Sequence, residues 1–151
     1  MNDVAIFWPL TVGTSTIVAT VLIHTLAVAA TVRFLRRAKR MRREDAGFWN
    51  DVGVVMMAVF LALVAHLLEI GVWGVVFIAC GEFPAFDIAL DHSAVNYTTL
   101  GYGNVIMTPS WRFLGPLEAV NGMLLFGVST ALIFAVIQGL IQLRFADLRH
   151  E

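Results

Sequence analysis

The residues with the most specific chemistry in this sequence are Thr99-Leu100-Gly101-Tyr102-Gly103, called here the Gly-Tyr-Gly segment. To remove water from a cation, a protein must place several oxygen atoms where the water was. Backbone carbonyls can do this only if successive carbonyls face one axis, and this alignment needs left-handed conformations that glycine adopts at little cost. Gly101 and Gly103 can supply those conformations. Thr99 can add a hydroxyl, and Tyr102 is expected to point away from the axis and pack behind the segment.

The rest of the sequence has the composition of a membrane protein. Of its 151 residues, 59% are hydrophobic and 14% are charged, and the mean hydropathy is +0.81. A bilayer core about 30 Å thick is crossed by roughly 20 helical residues, and three apolar stretches reach that length. They lie near Leu10–Val32, Val52–Cys80 and Gly115–Leu143. The sequence therefore predicts an all-α membrane fold with three transmembrane helices, and its net charge of -1 gives no indication of a nucleic-acid partner.

The segment between the second and third apolar stretches is too polar to span a membrane and too apolar for a free loop. Pro84 precedes a moderately apolar run from Phe86 to about Thr98, which is too short to cross and predicts a re-entrant helix. The negative end of that helix dipole would face a dehydrating cation at the Gly-Tyr-Gly segment. Irregular backbone at membrane depth is tolerated where protein shields it or where it lines water. The segment therefore implies a pore, and because one chain offers one oxygen per layer, a homotetramer is the natural closure.

Residues Thr98 to Gly103 resemble the signature of the potassium-channel pore-loop superfamily. The resemblance covers about Val52 to Leu143 and is closest to prokaryotic channels with two helices and one pore loop, so the first helix lies outside it. It implies a potassium-selective channel with passive conduction. In that family the permeant K⁺ is bound by the oxygens of the positions that match Thr99, Leu100, Gly101 and Tyr102.

Further positions match the family or depart from it. Gly122 and Gly127 resemble its glycine hinge region, while Trp111-Arg112 resembles the start of its inner helix. Leu100 stands where valine is most common, and Asn104 replaces the usual aspartate at the outer mouth. Asp91-His92 stand where many relatives have two tryptophans.

The positive charge is concentrated between the first two apolar stretches and predicts the orientation. Seven of the ten Lys and Arg residues lie within Arg33–Arg43, which should therefore be cytoplasmic, with the N-terminus outside and the C-terminus inside. A voltage sensor would need arginines spaced along an apolar helix, whereas these are packed closely. The basic run is also a candidate contact for anionic lipids. The outer segments, with Glu82, Asp87 and Asp91, should form an acidic mouth that concentrates cations.

Several ionisable side chains lie within the apolar stretches, where they are functional candidates. His66 and Glu69 are three residues apart and share one helical face, as a proton-sensing pair or as a structural pair. We expect His24 to be a packing residue or to make an interhelical hydrogen bond. Glu118 either supports the region behind the Gly-Tyr-Gly segment or reaches the membrane interface. Ser129 falls in the inner half of the third helix, where pore-lining residues belong.

These observations define three regions and a function. Residues 1–46 form the extra N-terminal helix and a basic cytoplasmic linker, residues 47–143 form the pore domain, and residues 144–151 form a short cytoplasmic tail. The sequence has no nucleotide-binding motif and no nucleophile constellation, so we expect neither an enzyme nor a cofactor, with K⁺ as the permeant ligand. The prediction is a multi-pass potassium channel of the cell (inner) membrane. The alternatives are a weakly selective cation channel and a non-conducting regulatory subunit with the same fold.

Overall fold

The computed structural model describes residues 4–41, 48–103 and 105–147, and within these ranges the only regular secondary structure is α-helical. The four helices are α1 (Val4–Met41), α2 (Phe48–Ala79), α3 (Phe86–Tyr97) and α4 (Leu114–Asp147). Three of them, α1, α2 and α4, are long and apolar enough to cross a membrane. The all-α class and the three candidate spans are therefore confirmed.

The long helices extend beyond the apolar stretches that predict them. The first apolar stretch ends at Val32, but α1 continues to Met41, so the basic residues from Arg33 to Arg40 form its last turns instead of a loop. No proline or glycine interrupts those turns, and basic side chains are favourable near a helix C-terminus. With 38 residues, α1 is about 57 Å long and exceeds the bilayer core. The rest of the predicted basic linker lies outside the described residues.

The short helix α3 is held between two of the long helices. It packs against α2 and α4, while α1 packs against the same two helices. The apolar core around α3 contains the fully buried side chains of Trp73, Phe77, Tyr97 and Leu114. With 12 residues, α3 is about 18 Å long and cannot cross a bilayer by itself. Pro84 lies just before this helix, whose N-cap is Ala85.

The described part of the bundle has apolar side chains outside and many of its polar side chains inside. On α1, the buried residues Thr16, Thr20 and His24 are spaced by four and share one face, whereas Leu22 and Leu26 on the other side are exposed. Lipid tails are as apolar as leucine, so helices in a membrane associate through close packing and hydrogen bonds. The buried polar face of α1 is therefore the face that attaches it to α2 and α4.

Gly122 of α4 packs closely against the end of α3. A Cβ atom at this position would overlap the carbonyl oxygen of Tyr97, whereas the corresponding space at Gly127 is open within the chain. The close packing gives Gly122 a structural reason to be glycine. The hinge role that the family resemblance assigns to Gly122 and Gly127 stays a prediction.

We expect Gly122→Ala to destabilise the protein by about 1–3 kcal/mol, because the methyl group must displace the backbone at Tyr97. Gly71→Ala is the matched control, since Gly71 also lies within a helix and has open space around its Cβ position. Thermal unfolding of the full chain in detergent, followed by circular dichroism, measures both. Equal unfolding temperatures for the two variants would contradict the packing argument.

Candidate functional site

The Gly-Tyr-Gly segment begins inside the cap that ends α3. The Leu100 N–H donates to the carbonyl of Val95 at 2.9 Å, and the Thr99 N–H donates to the carbonyl of Asn96 at 2.9 Å. Thr99 has a φ of 60°. Together these features form a Schellman motif, in which the left-handed position is usually glycine. The segment is thus fixed to the helix by backbone hydrogen bonds.

The same motif ends α2, where its usual residue is present. Gly81 has a φ of 76°. The Glu82 N–H donates to the carbonyl of Phe77 at 3.0 Å, and the Gly81 N–H donates to that of Ile78 at 2.9 Å. Thr99 is unusual because it occupies the position that glycine occupies in this second cap. A residue with a side chain adopts the left-handed conformation at a free-energy cost of about 1–2 kcal/mol.

Left-handed backbone recurs at every second residue of the Gly-Tyr-Gly segment. The φ angles are 60° at Thr99, 65° at Gly101 and 69° at Gly103. The predicted left-handed conformations of the two glycines are confirmed. The one at Thr99 was missed, because threonine gives no signal for it; the position of the helix end, two residues earlier, is the signal that could have found it. A segment with this alternation can turn successive carbonyls to one side.

The side chains of the Gly-Tyr-Gly segment are largely exposed within the described part of the chain. Tyr102 is 68% exposed and Leu100 is 55% exposed. The predicted packing of Tyr102 behind the segment is therefore not seen within the described part of this chain. Beside the segment lies an open groove lined by Asp91, His92 and Val95. Asn104, the predicted outer-mouth residue, lies outside the described residues.

His92 fills an aromatic position behind the segment. Its ring centroid lies 4.8 Å from that of Phe83 and 5.4 Å from that of Phe77. Burial lowers the pKa of His92, and the negative charges of Glu82 and Asp91 oppose this shift. His92 is therefore a packed ring whose neutral form is favoured by burial, at a position where many relatives have a tryptophan.

Glu82 connects the turn after α2 to the chain beyond the Gly-Tyr-Gly segment. Its carboxylate accepts hydrogen bonds from the Thr108 N–H at 2.7 Å and from the Thr108 hydroxyl at 2.5 Å. One of the three acidic groups predicted at the outer mouth thus has a structural partner. The contact also fixes where the chain re-enters the bundle at Met107, whose side chain is buried.

Glu118 is buried against the middle of α3. Its carboxyl lies 2.5 Å from the Ser93 hydroxyl, which is also 2.8 Å from the carbonyl oxygen of Ile70. A hydroxyl has a single hydrogen, so a protonated Glu118 carboxyl satisfies both contacts. Of the two roles considered for Glu118, the structure supports the one behind the Gly-Tyr-Gly segment, where it joins α4 to α3 and α2.

Five buried side chains from all four helices form a hydrogen-bonded cluster, called here the polar network. It consists of His24 on α1, His66 and Glu69 on α2, Tyr97 on α3 and Ser129 on α4. The contacts are His24 Nδ1 to Glu69 Oε1 at 2.9 Å, His66 Nδ1 to Tyr97 Oη at 2.9 Å and His66 Nδ1 to Glu69 Oε2 at 3.2 Å. The Tyr97 hydroxyl donates to Glu69 Oε2. Ser129 Oγ lies 3.0 Å from His66 Nε2 and 3.1 Å from His24 Nε2.

The polar network confirms the interhelical hydrogen bond expected of His24 and joins His66 with Glu69. It also corrects the expectation for Ser129, which is turned into the bundle by its contacts with both imidazoles. Tyr97 was missed because its place in a moderately apolar run gives no sign of a polar partner. The two histidines and Glu69 also place atoms that could bind a metal ion within 4.8 Å of one another. Each of these residues already makes hydrogen bonds within the polar network.

Comparison with known proteins identifies the region that contains these features. A family model described as an ion channel matches residues 65–139. The match begins in α2, includes α3 and the Gly-Tyr-Gly segment, and ends in α4. No curated protein and no solved structure matches the chain. Residues 65–139 therefore form an ion-channel domain of this family, in agreement with the resemblance of the chain to the potassium-channel pore-loop superfamily.

Proposed function

We propose that the protein is a potassium-selective channel in which the Gly-Tyr-Gly segment is the selectivity filter. The observation that carries the proposal is the left-handed backbone at every second residue of this segment, from Thr99 to Gly103. Such a strand can direct its successive carbonyls at one axis, where they replace the hydration shell of K⁺. The carbonyl oxygens of Thr99 to Tyr102 and the Thr99 hydroxyl are the proposed ligands.

The surroundings of the segment support a cation path. In this proposal α3 is re-entrant, and it ends directly at the segment, so the negative end of its dipole faces an ion at the inner end. Asp87 lies in the first turn of α3, and Asp91 lines the groove beside Tyr102 and Gly103. In this proposal their carboxylates attract cations to the outer mouth.

Four chains around one axis complete the proposed pore. A single chain supplies one filter strand, and its Tyr102 is exposed. A neighbouring chain can cover this side chain and thereby hold the filter at a fixed diameter. Two features favour weaker selectivity as the second candidate: Leu100 stands where valine is most common, and Asp91-His92 stand where many relatives have two tryptophans.

We expect the purified protein in liposomes to pass K⁺ down a gradient, with a reversal potential near that of K⁺ and with block by Ba²⁺. Barium has a similar radius and twice the charge, so it should lodge in the filter. Flux and bilayer currents in K⁺ and Na⁺ measure this. Equal permeability to the two ions would support the weakly selective channel, and no flux under any voltage, pH or lipid condition would support the regulatory subunit.

Two glycine variants separate the filter from general backbone strain in the same assay. Gly101→Ala and Gly81→Ala both place a side chain at a positive φ without a steric clash, at a cost of about 1–2 kcal/mol each. Only the first changes the proposed ion path. Gly101→Ala should therefore lower the K⁺ to Na⁺ permeability ratio at least about tenfold, equivalent to about 1.4 kcal/mol, and Gly81→Ala should leave the ratio unchanged.

The assembly is predicted to be a tetramer, since one filter strand per chain cannot surround an ion. Native mass spectrometry of the detergent-solubilised protein should find four chains of 16.6 kDa. Crosslinking in the membrane provides the independent check. A stable dimer in both measurements would contradict the proposed pore, because the chain contains one Gly-Tyr-Gly segment.

The proposed orientation places the basic end of α1 in the cytoplasm and the filter exit outside. In a Cys80→Ser background, Ser110→Cys should react with an impermeant thiol reagent added to intact cells, and Arg36→Cys should not. Both side chains are exposed within the chain, so a difference in labelling reports sidedness. Reaction at residue 36 together with protection at residue 110 would invert the topology.

A further inference from the structure

The hydrogen bonds at Ser129 depend on how many protons the polar network holds. His66 Nδ1 lies beside the Tyr97 hydroxyl, which itself donates to Glu69, so this nitrogen acts as a donor. His24 Nδ1 likewise donates to the Glu69 carboxylate. The Nε2 atoms of both imidazoles then meet at Ser129 Oγ. A hydroxyl can donate one hydrogen bond and accept others.

Only one state gives every atom of this junction a partner while keeping the network neutral. If exactly one imidazole is protonated at Nε2, it donates to Ser129, and Ser129 donates to the Nε2 of the other. The positive charge then balances the carboxylate of Glu69. A form with protonated Glu69 and neutral His24 contains the same number of protons. It differs only in that one proton lies on Glu69 instead of on His24.

Adding or removing one proton leaves a buried defect. With both imidazoles neutral and Glu69 ionised, the hydroxyl of Ser129 donates to only one of the two Nε2 atoms, and the carboxylate of Glu69 lacks a counter-charge. With both protonated, the network holds a net positive charge. Uncompensated buried charges and unpaired polar groups are costly. Phe126 lies 4.3 Å from the His66 ring, and its face can stabilise a protonated imidazole.

Tyr97 connects this proton to the Gly-Tyr-Gly segment. It is the last residue of α3, its hydroxyl bonds Glu69 and His66, and its backbone packs against Gly122. The segment begins two residues later. A change in the hydrogen bonds of Tyr97 therefore acts on the backbone that begins the segment.

We infer that His24 and His66 share one proton through Ser129. Gain of a further proton or loss of this one changes the hydrogen bonds of Tyr97, and Tyr97 transmits the change to the Gly-Tyr-Gly segment and closes the ion path. The inference rests on the proposed channel function. The titratable groups that face the network are His24 from α1, His66 and Glu69 from α2, and Tyr97 from α3. From α4 it is faced by Ser129, and the carboxyl group of Glu118 on the same helix is close enough to interact with Tyr97.

The test is K⁺ flux through the reconstituted full chain from about pH 4 to pH 10, a range that includes the ordinary titration of carboxyl, imidazole and phenol groups. The wild-type profile should be bell-shaped, with flux falling about tenfold per pH unit beyond each limb, as for an essential single-proton state. His24→Gln keeps an amide donor for Glu69 but cannot be charged. It should conduct at neutral pH and lose the acid limb.

Two further variants separate the sensor from its connection to the segment. Tyr97→Phe removes the hydroxyl and keeps the ring, so its thermal unfolding should still depend on pH while its flux no longer does. His92→Gln removes the histidine of α3, which lies outside the polar network, and it should keep the bell shape. A purely structural role for Tyr97 would change both readouts together.

The outcomes that overturn the inference are distinct. Wild-type flux that is constant with pH would reject the switch and leave the channel proposal intact, whereas no K⁺ flux at any pH would reject both. A flat profile in His92→Gln together with a bell in His24→Gln would assign the sensor elsewhere. Block by micromolar Zn²⁺ at fixed pH that disappears in His24→Gln would show that a metal ion, and not a proton, occupies the site.

Discussion

The end of α3 at Tyr97 is the constraint on which the rest of the structure depends. Beyond the cap at Thr99 the backbone leaves the helix, and its polar groups that find no partner on α3 must, within a membrane, be held by other protein groups or face water. Three contacts fix the point of departure: the Tyr97 hydroxyl bonds α2, the Tyr97 backbone packs on Gly122 of α4, and the cap at Thr99 closes on α3. Each acts on a different part of the same residue or on its immediate neighbour, so the direction of the Gly-Tyr-Gly segment is defined before any ion or second chain is added.

The arrangement of polar groups explains how a bundle with an apolar surface is held together. Transfer of apolar surface from lipid to protein gives little driving force, and an interhelical hydrogen bond in a membrane contributes about 0.6–2 kcal/mol. The contacts of Glu118 with Ser93, of Asn121 with Thr20 and of the polar network each join different helices. These bonds also select one register, since sliding a helix by a single turn would leave a carboxyl group without its partner.

The parts of the structure that could be predicted from the sequence are those set by local composition. The three spans follow from hydropathy, and the conformations of Gly101 and Gly103 follow from the freedom of glycine. The end of α1 could not be placed, because arginine and lysine are good helix formers and leave a helix only where another signal stops it. The left-handed Thr99 and the partners of Tyr97 depend on where separate helices meet. Residues 24, 69, 97 and 129 are far apart in sequence, and no spacing between them carries information about a contact.

The first helix shows that contacts between helices explain residues that the sequence of a single helix does not. The ion-channel match begins at residue 65 and so excludes α1, yet α1 supplies His24 to the polar network and Thr20 to Asn121. Without His24, Glu69 would lose a hydrogen-bond donor and Ser129 would lose one of its two imidazole partners. A buried carboxylate with fewer donors is costly in an apolar surrounding. The identity of Glu69 in α2 is therefore explained only when α1 is included, and α1 is best described as a structural part of the helical unit that carries the Gly-Tyr-Gly segment.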